Sequence, residues 1–442
     1  MQVIKYPSCD QIPALLQRPG SNSDDALFEK VRNILEEVRT KGDKALRDYS
    51  LLFDKINLED LEVSPSEIDQ AEKQLSPSLR QAIEMARRNI WKFHVEQQQN
   101  YPVVETTPGV RCWQKALPIE KVGLYIPGGT APLFSTVLML GVPARIAECP
   151  EVILCTPPDK TGKVHPAILY AAQQAGIHRV FKIGGAQAIA AMAYGTESLP
   201  KVHKIFGPGN PYVTAAKQLL SLREVAIDMP AGPSEVLVLA DETAKPAFVA
   251  ADLLSQAEHG ADSQAILITV CEELIEPVLE ELQTQLDSLP RKDMARKALQ
   301  NSRIILVKTL EEAVKLTNEY APEHLIIATR YYRGVAENIR HAGSVFLGNY
   351  SPESAGDYAS GSNHTLPTNG YAKMYSGVSL DSFMRKISFQ ELSKEGLNNL
   401  SNAIMIMAEE EGLEAHKRAV ELRLDEEEDE KQEDENTRAT RL

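Results

Sequence analysis

The chain has 442 residues, enough for two or more domains of about 150 residues each. Apolar residues make up 43% and charged residues 25%, a balance that excludes disorder over most of the length. The net charge of −15 argues against a nucleic-acid backbone or an anionic membrane surface as the main partner.

The opening stretch, MQVIKYPSCDQIPALLQRPG, lacks the basic–apolar–small pattern of a secretory signal. No segment approaches about 18 uninterrupted apolar residues. The cysteines (Cys9, Cys112, Cys149, Cys155, Cys271) are odd in number and contain no C-x-x-C pair, which suits a reduced, cytoplasmic protein. Zinc-finger spacing, a P-loop and a G-x-S-x-G elbow are all missing.

In chain order, residues 1–22 are expected to form an N-terminal arm, and the first hundred residues read as helical. Val31, Ile34, Leu35 and Val38 recur at helical spacing. Ser64-Pro65-Ser66-Glu67 combines an N-cap, proline at the first helical position and a capping-box glutamate. The helical pattern continues over 77–98 with Leu79, Ile83, Ala86 and Ile90. From about residue 120 short apolar runs at 122–126, 152–156, 180–183 and 204–206 alternate with helical stretches, as βαβ units do. A second set follows at 236–240, 265–270, 304–307, 325–328 and 344–347, with helices expected over 243–258 and 310–320.

The expected fold is α/β: two Rossmann-like, incomplete, doubly wound parallel-sheet domains with small helical N- and C-terminal arms. One domain spans 121–235; the other is discontinuous, 23–120 with 236–380. A helical arm occupies 381–424, its helix beginning near 388. In the tail, 425–442, Asp425 to Glu430, Glu433, Asp434 and Glu435 face only Lys431, Arg438 and Arg441. It reads either as a solvated disordered tail or as an interaction tail.

Three strands of the first set run into glycine turns: Pro127-Gly128-Gly129, Gly184-Gly185-Ala186-Gln187 and Gly207-Pro208-Gly209-Asn210. Glycine admits close approach of a ligand to the backbone, and a helix starting there offers its amides to a phosphate. Tyr212 stands where a dinucleotide fingerprint would have its third glycine. Nucleotide binding and ordinary tight turns both remain open on this pattern.

Four segments of the second half concentrate metal-ligating and proton-moving groups. Gln256 and His259 are three apart in LSQAEHG and share a helix face. Glu323 and His324 precede an apolar strand, Asp357 and His364 lie in a glycine-rich loop, and Glu411 and His416 close the last helical segment. Oxygen and imidazole donors without thiolates suit Zn²⁺, Mn²⁺ or Co²⁺. Each histidine alone could equally be a surface or capping residue.

Eight ordered segments carry a resemblance: VGLYIPGGTAPLFSTVLML (122–140), KIGGAQAIAAMAYGT (182–196), FGPGNPYVTAAK (206–217), DMPAGPSEVLVLAD (228–241), DLLSQAEHG (252–260), APEHL (321–325), GDYASGSNHTLPT (356–368) and EEEGLEAHK (409–417). Over residues 20–424 the chain resembles the histidinol dehydrogenases. The resemblance implies a cytoplasmic homodimer with shared active sites that oxidises L-histidinol through L-histidinaldehyde to L-histidine, using Zn²⁺ and two NAD⁺. It assigns the metal to Gln256, His259, Asp357 and His416, and acid–base catalysis to Glu323 and His324. NAD⁺ contacts fall on Tyr125, Gln187 and Asn210, within the 121–235 domain. Substrate contacts fall on Ser234, His364 and Glu411 together with the ligand and acid–base residues. Asn369 stands where the family often has glycine. The alternative is a related metal- and NAD-dependent dehydrogenase of another polar primary alcohol.

Overall fold

The computed structural model describes residues 1–19, 25–128, 132–230 and 232–425. The acidic tail lies outside the described residues except for Asp425, as do Gly129 of the first glycine turn and the last three residues of the expected N-terminal arm. The chain divides into two compact units, Met1–Gln98 with Pro118–Phe383, and Gln99–Leu117 with Met384–Leu442. The strands, in chain order, are β1 (Gln2–Lys5), β2 (Val104–Thr107), β3 (Val110–Pro118), β4 (Lys121–Tyr125), β5 (Glu151–Cys155), β6 (Arg179–Phe181), β7 (Lys204–Phe206), β8 (Ala226–Ile227), β9 (Glu235–Ala240), β10 (Gln264–Thr269), β11 (Arg303–Leu306), β12 (His324–Ala328), β13 (Ser344–Leu347) and β14 (Met384–Leu392).

The larger unit contains two parallel sheets, ordered β6-β5-β4-β7-β8 and β1-β11-β10-β9-β12-β13. In the first, and in the second from β9 onward, the chain starts at the centre, winds to one side and returns to complete the other, while β1 adds at the edge of the second. This is the doubly wound pattern, with switch points between β4 and β7 and between β9 and β12. β9 (EVLVLA) and β10 (QAILIT) are buried along their whole length because helices cover both faces, so their residues do not alternate in polarity. The helix Phe134–Ile146 is almost entirely buried and has no polar face.

Several helix boundaries match their local signals. Ser64 accepts from Glu67 N at 3.3 Å while Glu67 Oε2 accepts from Ser64 N at 3.0 Å, completing the capping box. The helices Pro246–Ala257 and Leu310–Tyr320 fall where periodicity puts them. Asn369 has φ +55°, the left-handed region that glycine enters easily and asparagine tolerates.

Two local readings change. Residues 2–5 are not helical but add β1 beside β11, pairing Gln2 with Arg303; four residues are too few to display a period. The stretch 388–392 continues strand β14 rather than opening a helix, because β14 pairs with β3 in a three-stranded sheet with β2. Trp113 and Phe389 stack across that pair, ring centroids 5.5 Å apart. The helix Lys394–Glu410 begins only after Ser393, whose hydroxyl caps Gly396 N at 3.0 Å.

A buried ion pair fastens the loop after β7. Lys217, on the helix Pro211–Ser221, contacts Asp228 and donates to Gly207 O at 2.9 Å. Asp228 accepts from Gly207 N at 2.8 Å and Met229 N at 2.7 Å. Gly207 has φ +127°, and a Cβ there would lie 2.0 Å from Tyr125 O. Lys217→Met should strand a buried carboxylate and cost about 3 kcal/mol, lowering the urea midpoint of unfolding. An unchanged midpoint would show that the pair contributes nothing to stability.

Candidate active site

The carboxyl edge of the β4–β8 sheet opens on a cavity of about 1120 Å³, lined among others by Tyr125, Gly128, Gly184, Gly185, Gln187 and Asn210. All three glycine turns therefore serve one site. A Cβ on Gly128 or Gly184 would collide with Pro157 at 2.1 and 2.6 Å, so the turns close only without side chains. Gly185 N donates to the Tyr125 hydroxyl at 3.0 Å, and burial pushes that phenol up to about 12, keeping it neutral. Asn210 caps the helix Pro211–Ser221 through Val213 N at 3.1 Å. A cavity of this size, floored by glycine turns and two helix N-termini, fits the pyrophosphate and ribose of a dinucleotide.

The second constellation sits at the opposite edge of the other sheet. His324 is the first residue of β12 and pairs with Val236 of β9, so its side chain emerges at the amino edge beside Ser234 and Glu235. Pro246–Ala257 runs back antiparallel to β9 and delivers Gln256, fully buried, with His259 just beyond its end. Glu353 and Asp357 stand one turn apart on the helix Glu353–Tyr358. Ala321, in the left-handed region at φ +53°, turns the chain from the helix Leu310–Tyr320 into Pro322-Glu323-His324.

Distances are short throughout. His324 Nδ1 lies 3.6 Å from Glu323 Oε2 and 3.7 Å from Glu353 Oε1, and its Nε2 lies 3.6 Å from Asp357 Oδ1. That Nε2 is buried and has no hydrogen-bond partner. Glu323 Oε2 accepts from Glu235 N at 3.0 Å. Oriented to satisfy its neighbours, the Gln256 amide donates from Nε2 to Glu353 Oε1 at 2.7 Å and Oε2 at 3.2 Å, and reaches His324 Nδ1 at 3.3 Å. His364 Nδ1 bonds Asp357 O at 2.9 Å and its Nε2 meets the Thr136 hydroxyl at 3.0 Å.

These contacts set the charges. Burial raises Glu323 to about 7 and Glu353 to about 8, although His324 opposes both shifts. Burial also opposes charge on His324, but the carboxylates of Glu353, Glu323 and Asp357 outweigh it and push the imidazole up to about 10. Asp357 stays below the usual carboxylate range because His324 overcomes the effect of burial. Burial holds the His259 and His364 imidazoles below their usual value, although His259 reaches solvent, so both are neutral lone-pair donors at neutral pH.

Among the described residues, ligand atoms of His259, Glu353 and Asp357 lie within 4.8 Å of one another. Adding the amide of Gln256, this is a mixed oxygen and imidazole set of the kind that holds Zn²⁺ or Mn²⁺. The unpartnered His324 Nε2 and the excess of carboxylates leave room for a cation. Of the residues singled out from sequence, the larger unit brings together Gln256, His259, Glu323, His324, Asp357 and His364, with Ser234 just before the amino end of β9. Glu411 and His416 belong to the smaller unit. Glu411 caps the helix Lys394–Glu410, His416 lies in the helix over 414–425, and both are exposed. Sequence reasoning missed Glu353, which opens a helix after proline and looks there like any first-turn acid.

The sequence model of the family described as "Histidinol dehydrogenase" matches residues 16–424. A histidinol dehydrogenase of Bacteroides thetaiotaomicron is 64% identical over 424 residues, covering 96% of this chain and 99% of its own. One from Escherichia coli K12 is 53% identical over 426 residues, covering 96% and 97%. The crystal structure of histidinol dehydrogenase from Elizabethkingia anophelis superposes with a TM-score of 0.94 at 55% identity, covering 96% of this chain and 98% of that one.

Protonation of the cluster yields a stability prediction. Glu323, Glu353 and His324 all have folded values above their ordinary ones. The native state therefore holds more protons than the unfolded chain in this range, and stability falls as pH rises. The urea midpoint of metal-free protein should drop from about pH 7 to about pH 9, and saturating Zn²⁺ should flatten the slope. A midpoint that stays level or rises without metal would show that the cluster retains no extra protons.

Proposed function

This chain belongs to the histidinol dehydrogenase family, and from that premise we propose that it oxidises L-histidinol through bound L-histidinaldehyde to L-histidine, the closing steps of histidine biosynthesis. Two NAD⁺ are used in turn, and one Zn²⁺ serves each subunit. The observation that carries the reading is the cluster at the amino edge of β9 and β12: Glu323 and His324 touching, with Gln256, His259 and Asp357 around them. Residues 121–235 form the NAD-binding domain, with Tyr125, Gln187 and Asn210 as its contacts. Residues 23–120 with 236–380 form the domain carrying the metal and acid–base residues, and residues 381–424 form a C-terminal arm that is helical from Lys394. No helix among the described residues is long and apolar enough to cross a membrane, and a cytoplasmic setting suits the free thiols.

Gln256, His259, Asp357 and His416 would hold Zn²⁺, which when bound fixes the amino and imidazole nitrogens of the substrate. The glycine-floored cavity, with Tyr125, Gln187 and Asn210, would hold NAD⁺, which when bound supplies the hydride acceptor. The chain's own groups move the protons. His324 takes the hydroxyl proton as the carbinol carbon loses hydride, giving aldehyde, NADH and a proton. With its carboxylate neighbours neutralised by a bound cation, its imidazole falls back from about 10 toward the range where a base works. Glu323, poised near neutrality at about 7, takes a proton from water as the water adds to the aldehyde. His324 then deprotonates the hydrate, and loss of a second hydride gives the carboxylate. His364 and Glu411 offer a neutral imidazole and a carboxylate to a cationic substrate. Burial raises Cys149 to about 12, which disfavours a thiolate there.

Stoichiometry tests the reaction. Limiting histidinol with excess NAD⁺ should yield two NADH per molecule and histidine as product. One NADH, with aldehyde released, would defeat the four-electron reading.

We further infer that two copies share each site, the partner lending Glu411 and His416, as a closed two-fold dimer permits. Asp357→Ala and His416→Ala proteins should each be inactive, because every site lacks a ligand. After subunit exchange, mixed dimers hold one intact site, so roughly a quarter of wild-type activity should return. No recovery, with exchange verified by mass tags, would place His416 in its own chain's site.

A further inference from the structure

We propose that Glu353 is a positioning residue that fixes the Gln256 amide, so that its oxygen and not its nitrogen is offered to the metal ion. This rests on the reading of Gln256 as a ligand.

Glutamine is an awkward ligand because its two ends have nearly the same shape. Only the carbonyl oxygen has lone pairs to give, whereas the NH₂ group is a donor of hydrogen bonds. A half-turn about the last side-chain bond exchanges them. Once a bound cation draws off its proton, the Glu353 carboxylate removes the ambiguity, since an ionised carboxylate accepts only. With its amide oriented to satisfy its neighbours, Gln256 donates from Nε2 to both Glu353 oxygens, at 2.7 and 3.2 Å, and the reverse orientation sets the amide oxygen against that carboxylate. The arrangement keeps Gln256 Oε1 off the Glu353 side.

The carboxylate is held in place for this task. Glu353 is 1% exposed, a burial that costs several kcal/mol for an unpaired charge. Its ion-pair partner among the described residues is the His324 Nδ1 at 3.7 Å, beyond hydrogen-bond range. The same short helix carries Asp357 four residues later, so one element both supplies a ligand and orients another. Gly356, between them, packs so closely on Phe346 that a Cβ would lie 2.6 Å from the ring, which restricts movement of that helix.

The full-length protein tests the idea through Zn²⁺ affinity, measured by chelator competition and elemental analysis. In Glu353→Gln the new amide can donate to Gln256 Oε1 and turn Gln256 around. Zn²⁺ affinity should fall about 10- to 100-fold, as for other orienting partners of metal ligands, while NADH binding followed by fluorescence stays unchanged. Glu353→Asp keeps the charge but falls short, and should weaken Zn²⁺ as well; it reads the same role should Glu353→Gln fold poorly. The double variant Gln256→Glu with Glu353→Gln offers oxygen whichever way the side chain turns, and should recover most of the affinity.

Wild-type affinity in both Glu353→Gln and Glu353→Asp would overturn the proposal. So would a double variant that fails to recover and whose Co²⁺ absorption spectrum reports one ligand fewer, because Glu353 would then bind the metal itself. Gln256→Ala separates the two levels. If it binds Zn²⁺ like wild type, the ligand reading beneath falls too. If it binds weakly while Glu353→Gln binds normally, only the orienting role fails.

Discussion

Three carboxylates crowded within 4 Å of one buried imidazole cannot all be charged without a further cation. The protein alone resolves the conflict by keeping protons on Glu323, Glu353 and His324 above their ordinary values. A divalent ion and a cationic substrate resolve it differently, by supplying the missing positive charge. The cluster is therefore unfavourable empty and favourable loaded, and the surrounding scaffold must hold it together against its own repulsion.

That scaffold is visible in how each member is restrained. Glu323 is held by the backbone of Glu235, and Glu235 is in turn clamped by Arg18, whose Nε and Nη2 reach its two oxygens at 2.5 and 3.2 Å. The Arg18 guanidinium lies over the Tyr320 ring at 3.9 Å, and the Tyr320 hydroxyl sits 2.8 Å from both Glu235 Oε2 and Gln264 Oε1. The N-terminal segment is thus tied to the floor of the site. The loop bearing His364 is pinned by Asn363 donating to Met139 O at 2.6 Å and by Asn89 donating to Ala359 O at 2.7 Å.

One topology is used in two ways. The β4–β8 sheet carries its glycine turns at the carboxyl edge, where ligands of doubly wound sheets normally bind. The β9–β13 sheet carries its reactive groups at the amino edge, because it is the start of β12 and the far end of the returning helix Pro246–Ala257 that meet there. At its own carboxyl edge the switch point is closed by Asp241, which accepts from Thr243 N at 2.9 Å and Arg330 N at 2.8 Å.

Features with a local cause were legible in the residues themselves. Apolar runs marked the buried parallel strands, because burial on both faces needs only hydrophobic side chains in a row. Glycine turns, caps and the carboxylate–imidazole motifs announced themselves within a few residues, and ordered together they carried the family resemblance. What only the tertiary structure decided are relations between distant residues. β1 finds β11 some three hundred positions away, and β14 is a strand because β3 lies beside it, not because of its own period. Glu353 shows the limit most plainly. Its neighbours in sequence, Pro352 and Ser354, say helix start and nothing more. Its importance comes from Gln256 and His324, which three-dimensional packing alone brings against it, and from a burial that turns an ordinary acid into a fixed acceptor.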